Sequence, residues 1–371
     1  MLSKKEKLAR LKIIRSESIG PSTFWNLISL YGSGEKAIQA LPILVRSAKR
    51  AFDICSDEKI EQEQEAMEKI GAEFVFLEDE FYPPLLRNIS DPPPLLTMLG
   101  KKENVQSFFK KNIISVVGSR NSSIHANKFC TFLCEKLSND GVVVVSGMAR
   151  GIDTCAHVGS LKNGTIAILA GGINIVYPQE NEKLYKEIVE NGCIFTEMPF
   201  NTTMQPQLFP RRNRIIAGIS SGTVVIEAAE QSGSLITARF AAEYGREIFA
   251  VPGFPLDPRS VGCNNLLKDG ATLVQRPQDV LDCFENRKII QQSLFEDRPV
   301  FSAKISEKDL EKTRQKILES LNSVPITIDE LISSIKIPPQ EVLTALIELE
   351  LADKISRLHG QRVCLSLSNA I

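Results

Sequence analysis

A chain of 371 residues, 43% hydrophobic and 24% charged, is long enough for two or three soluble globular domains. No apolar run approaches the roughly 18 residues of a membrane span. The basic start MLSKKEKLARLK has no apolar stretch or small-residue cleavage site behind it, so a cytoplasmic protein is expected. A net charge of −1 excludes a binder that attracts nucleic acid through its overall field, so any such contact must come from a local cationic patch.

The N-terminal part, residues 1–75, reads as helical. Leu8, Leu11 and Ile14 space out as one helix face, and Phe24, Leu27, Ile28 and Tyr31 as another. Ser18-Ile19-Gly20-Pro21 forms a short turn between them. Such turns occur in helix-hairpin-helix DNA-binding domains and in ordinary helical bundles alike, which leaves DNA contact here open. Residues 76–109 form a proline-rich lead-in, from Phe81-Tyr82-Pro83-Pro84 through Asp91-Pro92-Pro93-Pro94, where extended chain is expected.

Residues 110–290 alternate apolar strands with helices. Strands are expected at 113–117, 142–145, 165–169, 193–197, 223–227 and 247–251, and helices near 123–139, 152–161, 181–191, 211–218 and 234–244. Apolar runs, in place of strict alternation, mark strands buried on both faces. The expected fold is therefore α/β, a Rossmann-like doubly wound and mostly parallel sheet. A polar linker at 291–305 follows, then a helical module at 306–371. In that module Ile317, Leu318 and Leu321 begin one helix, Thr327 caps a second, and Pro338-Pro339 opens a third carrying Val342, Leu343, Leu346, Ile347 and Leu349. A hairpin through Ile355–Leu358, Gly360 and Arg362–Leu365 would complete a winged helix. Nine basic and ten acidic residues over 304–371 make it a poor candidate for reading DNA, and a module that binds protein or simply packs fits better.

Ligands of an open parallel sheet sit beyond the carboxyl ends of its strands. The residues expected there are Gly118-Ser119-Arg120, Ser146-Gly147-Met148-Ala149-Arg150-Gly151, Ala170-Gly171-Gly172 and Glu197-Met198-Pro199. Small residues let backbone N–H groups approach an anion, and Arg120 and Arg150 add positive charge with bidentate geometry. Phe209-Pro210-Arg211-Arg212-Asn213-Arg214 opens a helix with three arginines beside an aromatic ring. Positive charge at a helix N-terminus opposes the macrodipole and so needs a reason. Phosphate contacts plus a stacking surface, the combination used by single-strand binders, supply one. Ser232-Gly233-Ser234 offers hydroxyls and N–H groups at a further helix start, with Glu227 and Glu230 nearby in capping or salt-bridging roles.

Other chemistries find little support. No GxGxxG follows the first strand, no acidic residue ends the second, and no Walker A sequence occurs, so no dinucleotide or ATP site is expected. No nucleophilic triad is evident, and Asp153 and His157, one helical turn apart, read as structural. The eight cysteines (Cys55, Cys130, Cys134, Cys155, Cys193, Cys263, Cys283 and Cys364) contain no CxxC pair and read as buried thiols of a reducing compartment. Cys130 and Cys134 sit four apart on a helix, but with only His125, His157 and His359 available no metal is expected. No cofactor and no catalytic residue is assigned.

In order along the chain, Val116-Val117-Gly118-Ser119-Arg120, Ser146–Asp153, Tyr177-Pro178, Asn181, Phe209–Ile216, Ser232–Ala238, Gly245-Arg246 and Val251-Pro252-Gly253 resemble the DprA/Smf DNA-processing family. The resemblance runs from Val116 to Gly253 and implies a core that binds single-stranded DNA, loads the RecA recombinase onto it and supports natural transformation and recombination. It further implies a dimer, and in some members an N-terminal sterile-alpha-motif-like domain and a C-terminal winged helix. By motif, Arg120, Ser146, Gly147, Arg150, Phe209, Arg212, Asn213 and Arg214 would line the DNA pocket.

The alternative is an enzyme. Gly222-Thr223 with Glu227, together with the 146–151 turn, is similar to the LOG hydrolases, which cleave nucleotide N-glycosidic bonds on a related scaffold. Ser220 and Ser221 stand where those enzymes carry glycines, and the Glu spacing is stretched. A winged-helix transcription regulator with a nucleotide-sensing core is a third reading.

Overall fold

The computed structural model describes residues 2–47, 53–285, 307–358 and 361–366. The expected linker at 291–305 and the hairpin residues His359 and Gly360 lie outside them. The chain divides into two compact units, Gln62–Ser293 and a second that unites the two chain ends, Met1–Glu61 with Leu294–Ile371. No described helix is long and apolar enough to cross a membrane.

The N-terminal segment forms α1 (Lys4–Arg15), α2 (Pro21–Tyr31) and α3 (Gly34–Ser47). Ser3 caps α1 by accepting from Glu6 N–H. The face expected to carry Leu8, Leu11 and Ile14 is rotated. Leu11 and Ile13 are buried while Leu8 is 40% exposed. The cause is polar: the buried Glu6 carboxylate accepts from the backbone N–H groups of Gly34 and Glu35 and from Arg10, drawing that side of α1 onto the start of α3.

The second unit begins within α4 (Asp57–Ile70) and continues through β1 (Ala72–Phe76), β2 (Leu95–Gly100), α5 (Lys102–Phe108), β3 (Ile113–Gly118), α6 (Ile124–Asn139), β4 (Val143–Ser146), α7 (Ile152–Ser160) and β5 (Thr165–Ile168). It then runs through α8 (Glu182–Asn191), β6 (Cys193–Thr196), α9 (Leu208–Ile219), β7 (Gly222–Ile226), α10 (Gly233–Glu243), β8 (Glu247–Ala250), α11 (Val261–Lys268), β9 (Thr272–Leu273) and α12 (Gln278–Glu285).

The strands form one nine-stranded sheet in the order β1-β2-β6-β5-β4-β3-β7-β8-β9. All pairings are parallel except β1 with β2 and β2 with β6. Side chains alternate between two buried faces. Val143 and Val145 join one core with Ile166, Phe195 and Ile215, while Val142 and Val144 join the other with Leu133, Leu137 and Ile226. Burial on both sides is why these strands read as continuous apolar runs.

The lead-in is more ordered than its prolines suggest. Pro92, Pro93 and Pro94 stop just short of β2, so they leave its ladder intact and Leu95–Gly100 pairs antiparallel with both β1 and β6. Tyr82 is fully buried and donates to the Pro93 carbonyl at 2.7 Å.

The C-terminal segment forms α13 (Glu307–Ser320), β10 (Ile326–Thr327), α14 (Ile328–Ile335), α15 (Pro339–Leu351), β11 (Ile355–Leu358) and β12 (Arg362–Leu365), with sheet order β10-β12-β11. Thr327 and Glu330 make a reciprocal capping box that fixes the start of α14. Three helices and a three-stranded antiparallel sheet give the winged-helix arrangement.

Candidate nucleic-acid interface

The chain lays down β3, β4, β5 and β6 to one side, then crosses back to place β7 on the other side of β3. The order reverses between β3 and β7, and a doubly wound sheet offers its anion seat in that crevice. Here a side chain of the protein occupies the seat. Ser123, the N-cap of α6, donates its backbone N–H to Glu227 Oε2 at 2.7 Å and its hydroxyl to Oε1 at 2.5 Å. Glu227, just past β7, adopts φ +49°, which turns it back onto α6. Its capping role follows from this geometry, since a carboxylate complements the positive end of a helix.

The accessible cationic surface is built at the neighbouring strand ends. Gly118 and Ser119 are half-buried where β3 ends, and the exposed Arg120 follows. The Arg120 guanidinium lies over the Phe209 ring, 4.4 Å from its centroid. Phe209 comes from the first turn of α9, the crossover helix that leads into β7. Tyr177 is a tilted neighbour of the same ring, with ring centroids 6.0 Å apart. Tyr177 is 46% exposed and extends the aromatic surface. It was not among the expected site residues, although an aromatic side chain in the loop after β5 was a visible signal. Arg150, exposed after β4, forms a surface ion pair with Glu180 at 2.9 Å. Such pairs contribute little and exchange readily for another anion. Arg211 is half exposed and pairs with Glu197 at 3.0 Å.

Two of the expected phosphate ligands are turned inward. Arg212 is buried, and its Nη1 donates to the carbonyls of Gly147 at 2.5 Å and Ile168 at 2.7 Å. Burial lowers its pKa to about 10, Asp153 opposes that shift, and Arg120 adds to it. Arg214 is also buried. It is held by Glu197 Oε2, by the Asp91 carbonyl at 2.6 Å and by the Asp91 carboxylate at 3.6 Å. Burial works against its charge, but Glu197 and Asp91 hold its pKa above the ordinary value. A guanidinium spent on internal acceptors is a strut of the fold. The sequence cluster therefore splits, with Arg211 exposed, Phe209 half-buried, and Arg212 and Arg214 inward.

The remaining expected residues build the scaffold. Ser146 is fully buried and donates to the Val116 carbonyl at 2.6 Å, tying β4 to β3. Gly147 is buried against Arg212, and Gly151 takes φ +74° at the N-cap of α7, a conformation that favours glycine. Asn213 donates to the Gly233 carbonyl at 3.1 Å and so links α9 to α10. Ser232 caps α10 by accepting from Ser234 N–H at 3.3 Å, and its hydroxyl lies 2.7 Å from that of Ser234. Gly233 is exposed beside them.

His157 is fully buried. The Thr165 hydroxyl donates to the Val144 carbonyl at 2.8 Å, so it accepts from His157 Nδ1 at 2.9 Å and the ring is the Nδ1–H tautomer. Nε2 has no partner, and burial lowers the pKa to about 3, with Arg212 adding to the effect. None of the eight cysteines is in a disulfide, and among the described residues no three His, Cys, Asp or Glu side chains gather as a metal site.

A Rossmann-type sheet with an arginine–aromatic surface at its strand ends, accompanied by a helical module and a winged helix, defines a class, and the comparisons agree on it. The family model of DNA recombination-mediator protein A matches residues 73–285, that of a DprA-like N-terminal HHH domain residues 4–66, and that of a DprA winged helix domain residues 302–361. The Smf protein of Escherichia coli (strain K12) is 36% identical over 327 residues, 87% of this chain and 85% of its own. The X-ray structure of DNA processing protein A (DprA) from Streptococcus pneumoniae aligns with a TM-score of 0.60 at 31% identity, covering 76% of this chain and 98% of that one. DNA processing protein A from Helicobacter pylori, whose structure is described as giving insights into a single-stranded DNA binding mode, aligns with a TM-score of 0.52 at 26% identity, covering 58% of this chain and 96% of that one. The chain belongs to the DprA/Smf family.

Proposed function

We propose that this protein binds single-stranded DNA along the strand ends of its central unit and mediates recombination by presenting that strand to a RecA-type recombinase. The observation that carries the reading is the Arg120–Phe209–Tyr177 surface. Arg120 lies over Phe209 at 4.4 Å and Tyr177 flanks the same ring at 6.0 Å, so an exposed cation and an exposed tyrosine adjoin the half-buried Phe209. Bases stack on such rings whatever their identity, while Arg120, Arg150 and Arg211 meet phosphates. The family match and the single-strand binding described for the Helicobacter pylori relative support the same assignment. A second copy of the chain and the recombinase are the protein partners this reading calls for, in DNA uptake and in homologous recombination. The role is binding, without a catalytic step. Glu227, the carboxylate a glycosidic-bond hydrolase would need, is engaged by the N-cap of α6.

Fluorescence anisotropy with labelled oligo-dT and a matched duplex tests the reading. Single-strand affinity should exceed duplex affinity and fall with salt, with a log–log slope of about −0.7 per neutralised phosphate. Equal affinity for both probes, or no salt dependence, would contradict it.

A further inference from the structure

In a winged helix, the helix corresponding to α15 is the one that enters the major groove, and it must present an open, preferably basic face to do so. In this chain α15 has neither property. Its sequence, PQEVLTALIELEL, carries Glu341, Glu348 and Glu350 and no lysine or arginine. It is also buried on two sides. Val342, Ala345, Leu346 and Leu349 enter the winged-helix core with Leu331 and Val363. Ile347 and Leu351 instead complete a different core, built otherwise from Ile13, Ile19, Phe24, Leu27, Ala37 and Leu41 of the N-terminal helices. Ile347 is 1% and Leu351 2% exposed.

Polar groups mark the same junction. The Thr23 hydroxyl, in the first turn of α2, lies against the Glu350 carboxylate of α15. That turn follows the Ser18–Pro21 hairpin, and the N-terminal end of such a helix is where a helix-hairpin-helix meets phosphate. The acidic Glu350 stands there instead, with Arg357 of β11 behind it at 3.5 Å. The two elements through which the terminal modules would each approach a duplex therefore cover one another.

We infer that α15 is a docking face for the chain's own N-terminal helices, not a reader of duplex DNA, and that the two chain ends work as one closed unit. The inference is independent of the single-strand site and stands or falls separately from it.

The test is site-resolved thiol labelling of the full chain carrying Ile347→Cys, read by mass spectrometry. Leu351→Cys, one turn further along the same face, is the second reporter should the first disturb folding. The partly exposed native Cys155 and Cys283 are the internal standards. The introduced thiol should label at least about tenfold more slowly than Cys155, as expected of a site reached only by local opening. Adding Leu27→Ala, which removes packing from the α2 side, should raise that labelling by about tenfold and leave Cys155 unchanged. Saturating duplex DNA should change nothing. Labelling at the rate of Cys155, no response to Leu27→Ala, or labelling raised by duplex would each overturn the inference, the last by showing that DNA displaces the N-terminal helices and reaches α15.

Discussion

Arg212 and Gly147 are shaped to one another. The guanidinium donates to the Gly147 carbonyl at 2.5 Å, and its Nη1 occupies a point 1.9 Å from where a Cβ on Gly147 would stand. The turn after β4 is thus folded around a buried cation that also bonds Ile168, so the ends of β4 and β5 are fixed together. Arg212→Glu would remove both bonds and set a carboxylate near Asp153. The expected loss is about 3–5 kcal/mol of stability, as for other broken buried ionic contacts. Gly147→Ala should also destabilise, because a methyl there displaces the guanidinium. Urea unfolding checks both, and an unchanged midpoint for Arg212→Glu would show that the side chain is not a strut.

Glu197 and Arg214 form the second buried pair of this region, with Asp91 beside them. Neutralising one partner leaves the other charged and buried. Glu197→Gln should therefore lower stability by about 3 kcal/mol or more. The double substitution Glu197→Gln with Arg214→Met should recover part of that loss, because no buried charge is then left facing a neutral partner. A double variant as unstable as the sum of the two singles would show that the residues act independently.

His157 makes stability depend on pH. Its pKa is about 3 in the folded protein and about 6.5 in an unfolded chain. Between those values the unfolded state binds the extra proton, so stability rises with pH over that window. The contribution is fully present above about 6.5 and is lost as pH falls toward 3. Urea unfolding from pH 7 down to pH 4 should show this loss in the wild type and a shallower one in His157→Leu. Identical pH slopes would mean that another group sets the dependence.

The sheet was readable from the chain because residues such as Val142–Val145 are apolar on both faces, as a parallel sheet covered on both sides requires, and because such runs alternate with helical patterns. β2 was hidden by three prolines that end one residue before it. Capping at Thr327 was readable as well, since the cap is local. The site was harder to read. Arg120, Arg211, Arg212 and Arg214 look alike in sequence, and what separates them lies far away along the chain. Carbonyls at Gly147 and Ile168 claim Arg212, and Asp91 and Glu197 claim Arg214. Glu227 gave no sign of turning back onto Ser123, because that contact spans 104 positions. Nor could the meeting of Ile347 with Phe24 and Leu27 in one core be read from two helical patterns at opposite ends of the chain.

The central claim is that bases stack on Phe209 while Arg120 neutralises phosphate. The measurement that tests it most directly is oligo-dT anisotropy on the wild type, Phe209→Ala and Arg120→Ala, each shown by its unfolding midpoint to be folded. Phe209→Ala should weaken binding by about 1–3 kcal/mol, the worth of one stacked base, with little change in salt slope. Arg120→Ala should weaken binding and reduce the magnitude of the slope by about 0.7. Wild-type affinity in both variants would contradict the account and place the DNA elsewhere on the molecule.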